Sequence, residues 1–152
     1  MAVFNAETAT VKTRHALAHA QAMAKELGHP ELNSVHLLTA TLQQEGGLAR
    51  PLLERAGVHG AAIERVVQRE LARLPKVQGA DRRVSRELGD ALDIAAGEAE
   101  NLKDKFVSTE HLILAFLSDA AARAGVKATE LLRELGADRE MVLSALREVR
   151  GS

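Results

Sequence analysis

Residues 33–42 read NSVHLLTATL, and residues 108–117 read STEHLILAFL. The same helix start is written twice, 75 positions apart (108 minus 33). Sliding the chain against itself at that offset aligns 16–42 with 91–117 without a gap, and nine of the 27 positions are identical. Ala16, Leu17, Ala20, Ala24 and Leu27 fall on Ala91, Leu92, Ala95, Ala99 and Leu102, and His36, Leu37, Ala40 and Leu42 fall on His111, Leu112, Ala115 and Leu117. Further along the offset becomes 79, placing Leu52, Leu53 and Gly57 on Leu131, Leu132 and Gly136. Four extra residues therefore sit in the second copy, in a loop around 120–127. The shared positions are an apolar stripe and a terminating glycine, which two copies of one packing scheme must keep.

The spacing within each copy is helical, with Ala, Leu, Glu and Arg recurring at three and four residues and no alternating run of β-branched residues. The first helix is expected from Thr10, a cap for free amides, to Gly28, with Ala16, Leu17, Ala20, Met23, Ala24 and Leu27 inward. Others follow from Ser34 to the break at Gly46-Gly47, over 48–56, and over 61–74. In the second copy, helices start at Ser85, at Ser108 and near Ala128, and after an Asp138 cap, the last with Met141, Val142, Ala145, Leu146 and Val149 on one face. The stretch LPKVQGADRR has Pro, Gly and charge but no apolar period, and reads as a linker. The expectation is an all-α, tandem pseudo-twofold repeat of two four-helix motifs. It has about eight helices in one domain over 1–152, with repeat one at 8–74, a linker at 75–84 and repeat two at 85–150. Each copy alone buries little, so the two should pack together along a seam.

Composition narrows the function. Twenty basic and 21 acidic residues leave a net charge of −1, without the basic surface that displaces counterions from nucleic acid. The chain has no Trp or Tyr and three Phe, a poor platform for stacking bases. No apolar run reaches membrane-span length, so neither nucleic acid nor membrane is an expected partner. Cysteine is absent, excluding disulfides and thiolate metal sites, and the first dozen residues lack a signal-peptide pattern. These features favour a cytoplasmic protein that meets other proteins.

The sequence shows no phosphate loop, nucleophile elbow or catalytic carboxylate pair. His15 and His19 form HALAH, an i,i+4 pair able in principle to hold a metal, but no third ligand is evident and surface histidines are the better reading. His36 and His111 follow caps at repeat-equivalent positions, which suits packing or hydrogen bonding at a helix start. Asp104 and Glu110 flank the short loop KFVST. Glu110 in a first helical turn is favoured by the helix dipole, so a plain first-turn acid and a binding role both remain open.

The repeated EHL-type helix start, Ala16-Leu17…Ala20-Gln21, LGH at 27–29 and QEGG at 44–47 resemble the amino-terminal domain of Clp/Hsp100 unfoldases. The linker LARLPKVQG and the closing VRGS resemble the ClpB disaggregase branch more narrowly. The resemblance runs from about Asn5 to Ser152. It implies a substrate-recruiting domain that binds unfolded or aggregated polypeptides weakly through a groove at the repeat seam. The alternative is a docking domain for adaptor proteins, as in ClpA or ClpC relatives. It also implies a hexameric parent that uses ATP and magnesium and works with a DnaK-type co-chaperone. This chain, monomeric by itself, would hold no cofactor and hydrolyse nothing. Family residues for substrate handling align with Thr10, Asp104 and Glu110, and the family's apolar groove aligns with Ile94, Glu98 and His111. Glu98 and His111 are polar where some relatives carry Leu, which suggests a shallower or displaced groove.

Overall fold

The computed structural model describes residues 2–79 and 81–151. Thr10 caps α1 (Val11–Glu26) by accepting the Thr13 N–H, and Ser85, its repeat mate, caps α5 (Arg86–Asn101) by accepting the Leu88 N–H. Each hydroxyl satisfies one of the amides left free at a helix start. Every residue of α2 (Ser34–Leu42) is buried, and so are seven of the eight of α6 (Thr109–Phe116). Both helices are enclosed on nearly every side and form the centre of the core, with Ser34, His36, Thr39 and Thr41 of α2 buried beside the apolar side chains. Accordingly α1 packs on α2 and α5 on α6, as two copies of one hairpin.

The rest of each copy is a shorter pair: α3 (Ala49–Arg55) with α4 (Gly60–Arg73), and α8 (Lys127–Glu134) with α9 (Arg139–Arg150). The chain turns out of α3 and α8 at Gly57 and Gly136, with φ of 92° and 78°, a backbone region that glycine enters without steric cost.

The two copies exchange contacts reciprocally. β1 (Glu31–Leu32) of the first pairs in parallel with β2 (Arg83–Val84), which leads into the second. The counterpart is the parallel bridge Ala9–Val107, where Val107 answers Leu32 and Ala9 answers Val84. Ser85 N–H donates to the Leu32 carbonyl at 2.9 Å, and Thr10 N–H to the Val107 carbonyl at 3.0 Å. In the same way α3 packs on α9 and α4 on α8. A pseudo-twofold repeat clasped in this way forms one core, with Leu37, Leu38, Leu112, Ile113 and Phe116 among its fully buried side chains.

Four features differ from the sequence expectation. The residues inserted after Leu117 form a ninth described helix, α7 (Asp119–Arg123), capped by Ser118; five residues are too few to show helical periodicity. The two short strands were not expected, because two residues each carry no alternation. The expected linker 75–84 is tied down at both ends, by Val77 N–H on the Gly28 carbonyl and by β2, while Ala80 lies outside the described residues. Leu27, Met141 and Val149, expected to face inward, are 36%, 46% and 53% exposed, because Leu27 stands past the end of α1 and the other two in the first and last turns of α9, beyond the reach of the core.

Candidate functional site

Along α5, Ile94, Gly97 and Glu98 recur at the i, i+3, i+4 spacing of one helix face, and they floor a groove of about 530 Å³. Ala120 and Ala124, from α7 and its end, line the opposite side. Subtracting 75 gives His19, Ala22 and Met23 on α1, which line a concavity of about 260 Å³ in repeat one. The larger volume goes with the inserted residues, because repeat one has no counterpart of α7. Acids stand along the groove: Asp93 accepts the Phe4 N–H at 2.8 Å, and the buried Glu98 carboxylate is paired with Arg139.

A second cluster lies beyond the end of α5. His111 Nδ1 accepts the Ser108 N–H at 2.8 Å, so its Nε2 carries the proton and donates to Asp104 at 2.7 Å. Arg150 donates to both oxygens of Asp104, at 3.2 and 2.8 Å, and to Glu110 at 3.4 Å. The Arg150 guanidinium, seconded by the His111 ring and opposed by burial, holds the Asp104 carboxyl below its ordinary range.

Thr10 lies across the seam, its hydroxyl 2.8 Å from that of Thr13, which in turn donates to the Val107 carbonyl at 3.0 Å. A crevice of about 230 Å³ opens there, lined by Thr8 of one copy and Ala96, Ala99, Asp104 and Val107 of the other. Its twofold mate, about 210 Å³, lies beside β1 and β2.

The six expected residues thus fall into three places. Ile94 and Glu98 share the α5–α7 groove, Asp104, Glu110 and His111 are gathered near Arg150, and Thr10 stands across the seam beside the Ala9–Val107 bridge. His111 is 1% exposed, so its ring offers no surface to a ligand and instead orients Asp104. Concavities of about 230 and 210 Å³ lie at the seam, where the groove was expected, and the one of about 530 Å³ lies along α5 and α7 in repeat two. His15 and His19 are exposed on α1, and no group of three His, Asp or Glu is placed to hold a metal among the described residues.

Sequence reasoning missed two buried polar centres. At the position equivalent to Asp104 repeat one carries His29, whose Nδ1 lies 2.8 Å from His36 Nε2. His36 Nδ1 accepts the Asn33 N–H at 3.0 Å, so His36 is the donor within the pair. His29 Nε2 has no partner within hydrogen-bond distance among the described residues, although the Leu71 carbonyl is near enough to favour its charged form. Burial first, then the neighbouring His29, pushes His36 down to about 4. The repeat offset, 29 to 104, was a readable signal for this pair. The other centre is Glu87, buried where α2, α5 and α8 begin. Apart from Ser85, two residues away, its partners Ser34 and Lys127 are far off in sequence, and no spacing announces them.

The sequence model of the Clp repeat (R) N-terminal domain matches residues 8–134. The chaperone protein ClpB of Rhodopirellula baltica is 37% identical over 150 residues, covering 98% of this chain and 16% of that protein. ClpB of Mycobacterium tuberculosis strain H37Rv is 39% identical over 145 residues, 94% of this chain and 16% of that protein. The Hsp104 N-terminal domain from Candida albicans has the same fold, with a TM-score of 0.77 and 25% identity, covering 95% of this chain and 92% of that one. The ClpV N-domain in complex with a VipB peptide gives a TM-score of 0.71 at 24% identity, covering 91% and 88%. The chain therefore spans about a sixth of the length of the curated relatives it matches.

Proposed function

This chain belongs to the Clp repeat (R) N-terminal domain family, and we propose on that premise that it recruits clients for a ClpB-type disaggregase. In this reading it holds extended segments of unfolded or aggregated polypeptide in the groove between α5 and α7. The observation that carries the reading is the asymmetry of the repeat: the four inserted residues go with a groove about twice the volume of its repeat-one counterpart.

The floor suits such a ligand. Ile94, Ala120 and Ala124 offer apolar surface, and Gly97 leaves room for a side chain to descend. Covering one Leu-sized client side chain contributes roughly 1.5–3 kcal/mol before ordering costs. Fixing a disordered segment offsets much of that, so each engagement is weak and reversible. Reversibility suits a domain that passes its client onward. The parent would supply the hexameric ring, ATP and magnesium, and the link to a DnaK-type co-chaperone. Thr10, Asp104, Glu110 and His111 would act at the seam crevice by holding the 102–108 loop in place.

The ClpV relative, solved with a VipB peptide, favours a second reading in which one defined peptide or adaptor docks here. Titrating the isotope-labelled domain with reduced, carboxyamidomethylated lysozyme separates the two. Recruitment predicts amide shifts at Ile94, Gly97, Ala120 and Ala124 with this and other unrelated unfolded chains. The absence of shifts on α5 and α7 would remove it.

A further inference from the structure

The groove and the seam crevice are separated by a piece of this same chain. Ala2 lines both, and Val3 lines the crevice, so residues 2–4 cross α5 between them. Two contacts fix the crossing. The Phe4 N–H donates to Asp93, and Ala2 lies over Gly97, where an added Cβ would stand 4.0 Å from the Ala2 methyl. An added Cβ would touch that methyl only at ordinary van der Waals distance, so Gly97 is a shallow bed on which the segment rests. The segment has no regular secondary structure and Val3 is 73% exposed; beyond these two contacts it is held by Ala2 and Phe4, which pack partly buried against the core, and a displacing client must replace that packing too. Beyond it, Asn5 turns the chain into the short 3-10 helix Ala6–Thr8 by accepting the Glu7 N–H at 2.9 Å.

We infer that residues 2–4 are an internal occupant of the client groove, a strap that an extended client segment displaces as it takes over the Asp93 hydrogen bond and the bed over Gly97. The inference rests on the recruitment reading above and adds a recognition rule to it. The client presents a small apolar side chain over Gly97 and, two residues later, a backbone N–H; proline, which has none, is excluded there. Displacing the strap joins the α5–α7 groove to the seam crevice as one trough from Ile94 to Asp104, passing around α5 over Gly97 to the side that carries Ala96 and Ala99. Residues expected to handle clients but lying in separate concavities then border a single path.

Phe4→Pro removes the donated N–H and leaves Asp93 in place, while Phe4→Ala keeps the N–H and removes the ring. The affinity of each for reduced, carboxyamidomethylated lysozyme is compared with the unsubstituted chain, and the Val3 amide is followed by NMR. Phe4→Pro is expected to bind roughly two- to tenfold tighter than Phe4→Ala, the factor worth one net hydrogen bond. A chain lacking residues 1–4 should match it, and client added to the unsubstituted chain should move the Val3 signal to its position in Phe4→Pro. Equal affinity in all variants with Val3 unmoved, while α5 and α7 still respond to client, overturns the strap and leaves recruitment standing. No binding by any variant overturns both.

Discussion

Ser34 donates its backbone N–H to the buried carboxylate of Glu87 at 2.8 Å, joining the first turn of a helix in one repeat to the first turn of a helix in the other. The Ser34 hydroxyl binds the same carboxylate and accepts the Ala128 N–H at 2.9 Å. Ser85 Oγ and the Lys127 N–H also donate to Glu87, at 2.7 and 2.8 Å. Three helix starts thus converge on one charge. The positive ends of their dipoles and four donors replace the water that burial removes.

Glu87→Ala leaves those donors unpaired in the core and is expected to cost about 3–5 kcal/mol in urea denaturation. Glu87→Gln keeps the shape but turns an NH2 group toward donors, and should cost about 1–3 kcal/mol. A loss below 1 kcal/mol for Glu87→Ala would mean that the hub does not hold the repeats together.

The His29–His36 pair predicts a pH dependence. Both rings are held below the ordinary histidine range, His29 chiefly by burial with Lys76 and Arg82 nearby, and His36 at about 4 with Lys127 opposing and Glu87 favouring its charge. The unfolded chain takes up the protons first, so stability is complete above about pH 6.5 and falls as pH drops toward 4. The His36 contribution is about 3 kcal/mol over that window. His36→Gln can still accept the Asn33 N–H and face His29, so its stability should vary less between pH 7 and 4. An unchanged pH slope would contradict the assignment.

At the equivalent place in repeat two, Asp104→Ala leaves the buried His111 Nε2–H without its acceptor and is expected to cost about 1–3 kcal/mol. Arg150→Ala removes a partner that is a third exposed, and should cost less than about 1 kcal/mol. Thermal melts that rank the two variants the other way would make the ion pair, and not the histidine cap, the stabilising contact.

Leu37 and Leu112 are repeat mates, both fully enclosed. Each Leu→Ala change should cost roughly 2–5 kcal/mol by emptying an interior site. Matching losses are expected from the twofold packing, and a mild effect at one site would break the equivalence.

The apolar stripe made the architecture readable, because Ala16, Ala20 and Ala24 and their mates Ala91, Ala95 and Ala99 are buried at spacings that survive duplication. Thr10, Ser85 and Asp138 could be read as caps because capping is local chemistry. What joins the repeats was not readable: Leu32 with Val84, Ala9 with Val107 and Ser34 with Glu87 meet only after the chain has folded. The groove was half legible. The insertion showed in the change of offset, but Asp119–Arg123 is one short turn and reads as loop. Ile94 and Glu98 were placed by resemblance, while the opposing Ala120 and Ala124, plain alanines, carry no signal of their own.

Gly97 and Ala22 occupy the same place in the two repeats, one on the floor of the α5–α7 groove and the other in the smaller concavity on α1. A tryptophan at each tests the account most directly, with affinity for reduced, carboxyamidomethylated lysozyme as the readout. Gly97→Trp should weaken binding roughly ten- to hundredfold, the loss of one buried client side chain, while Ala22→Trp leaves it unchanged. Equal affinity in both variants, or a loss confined to Ala22→Trp, would contradict the assignment of client binding to repeat two.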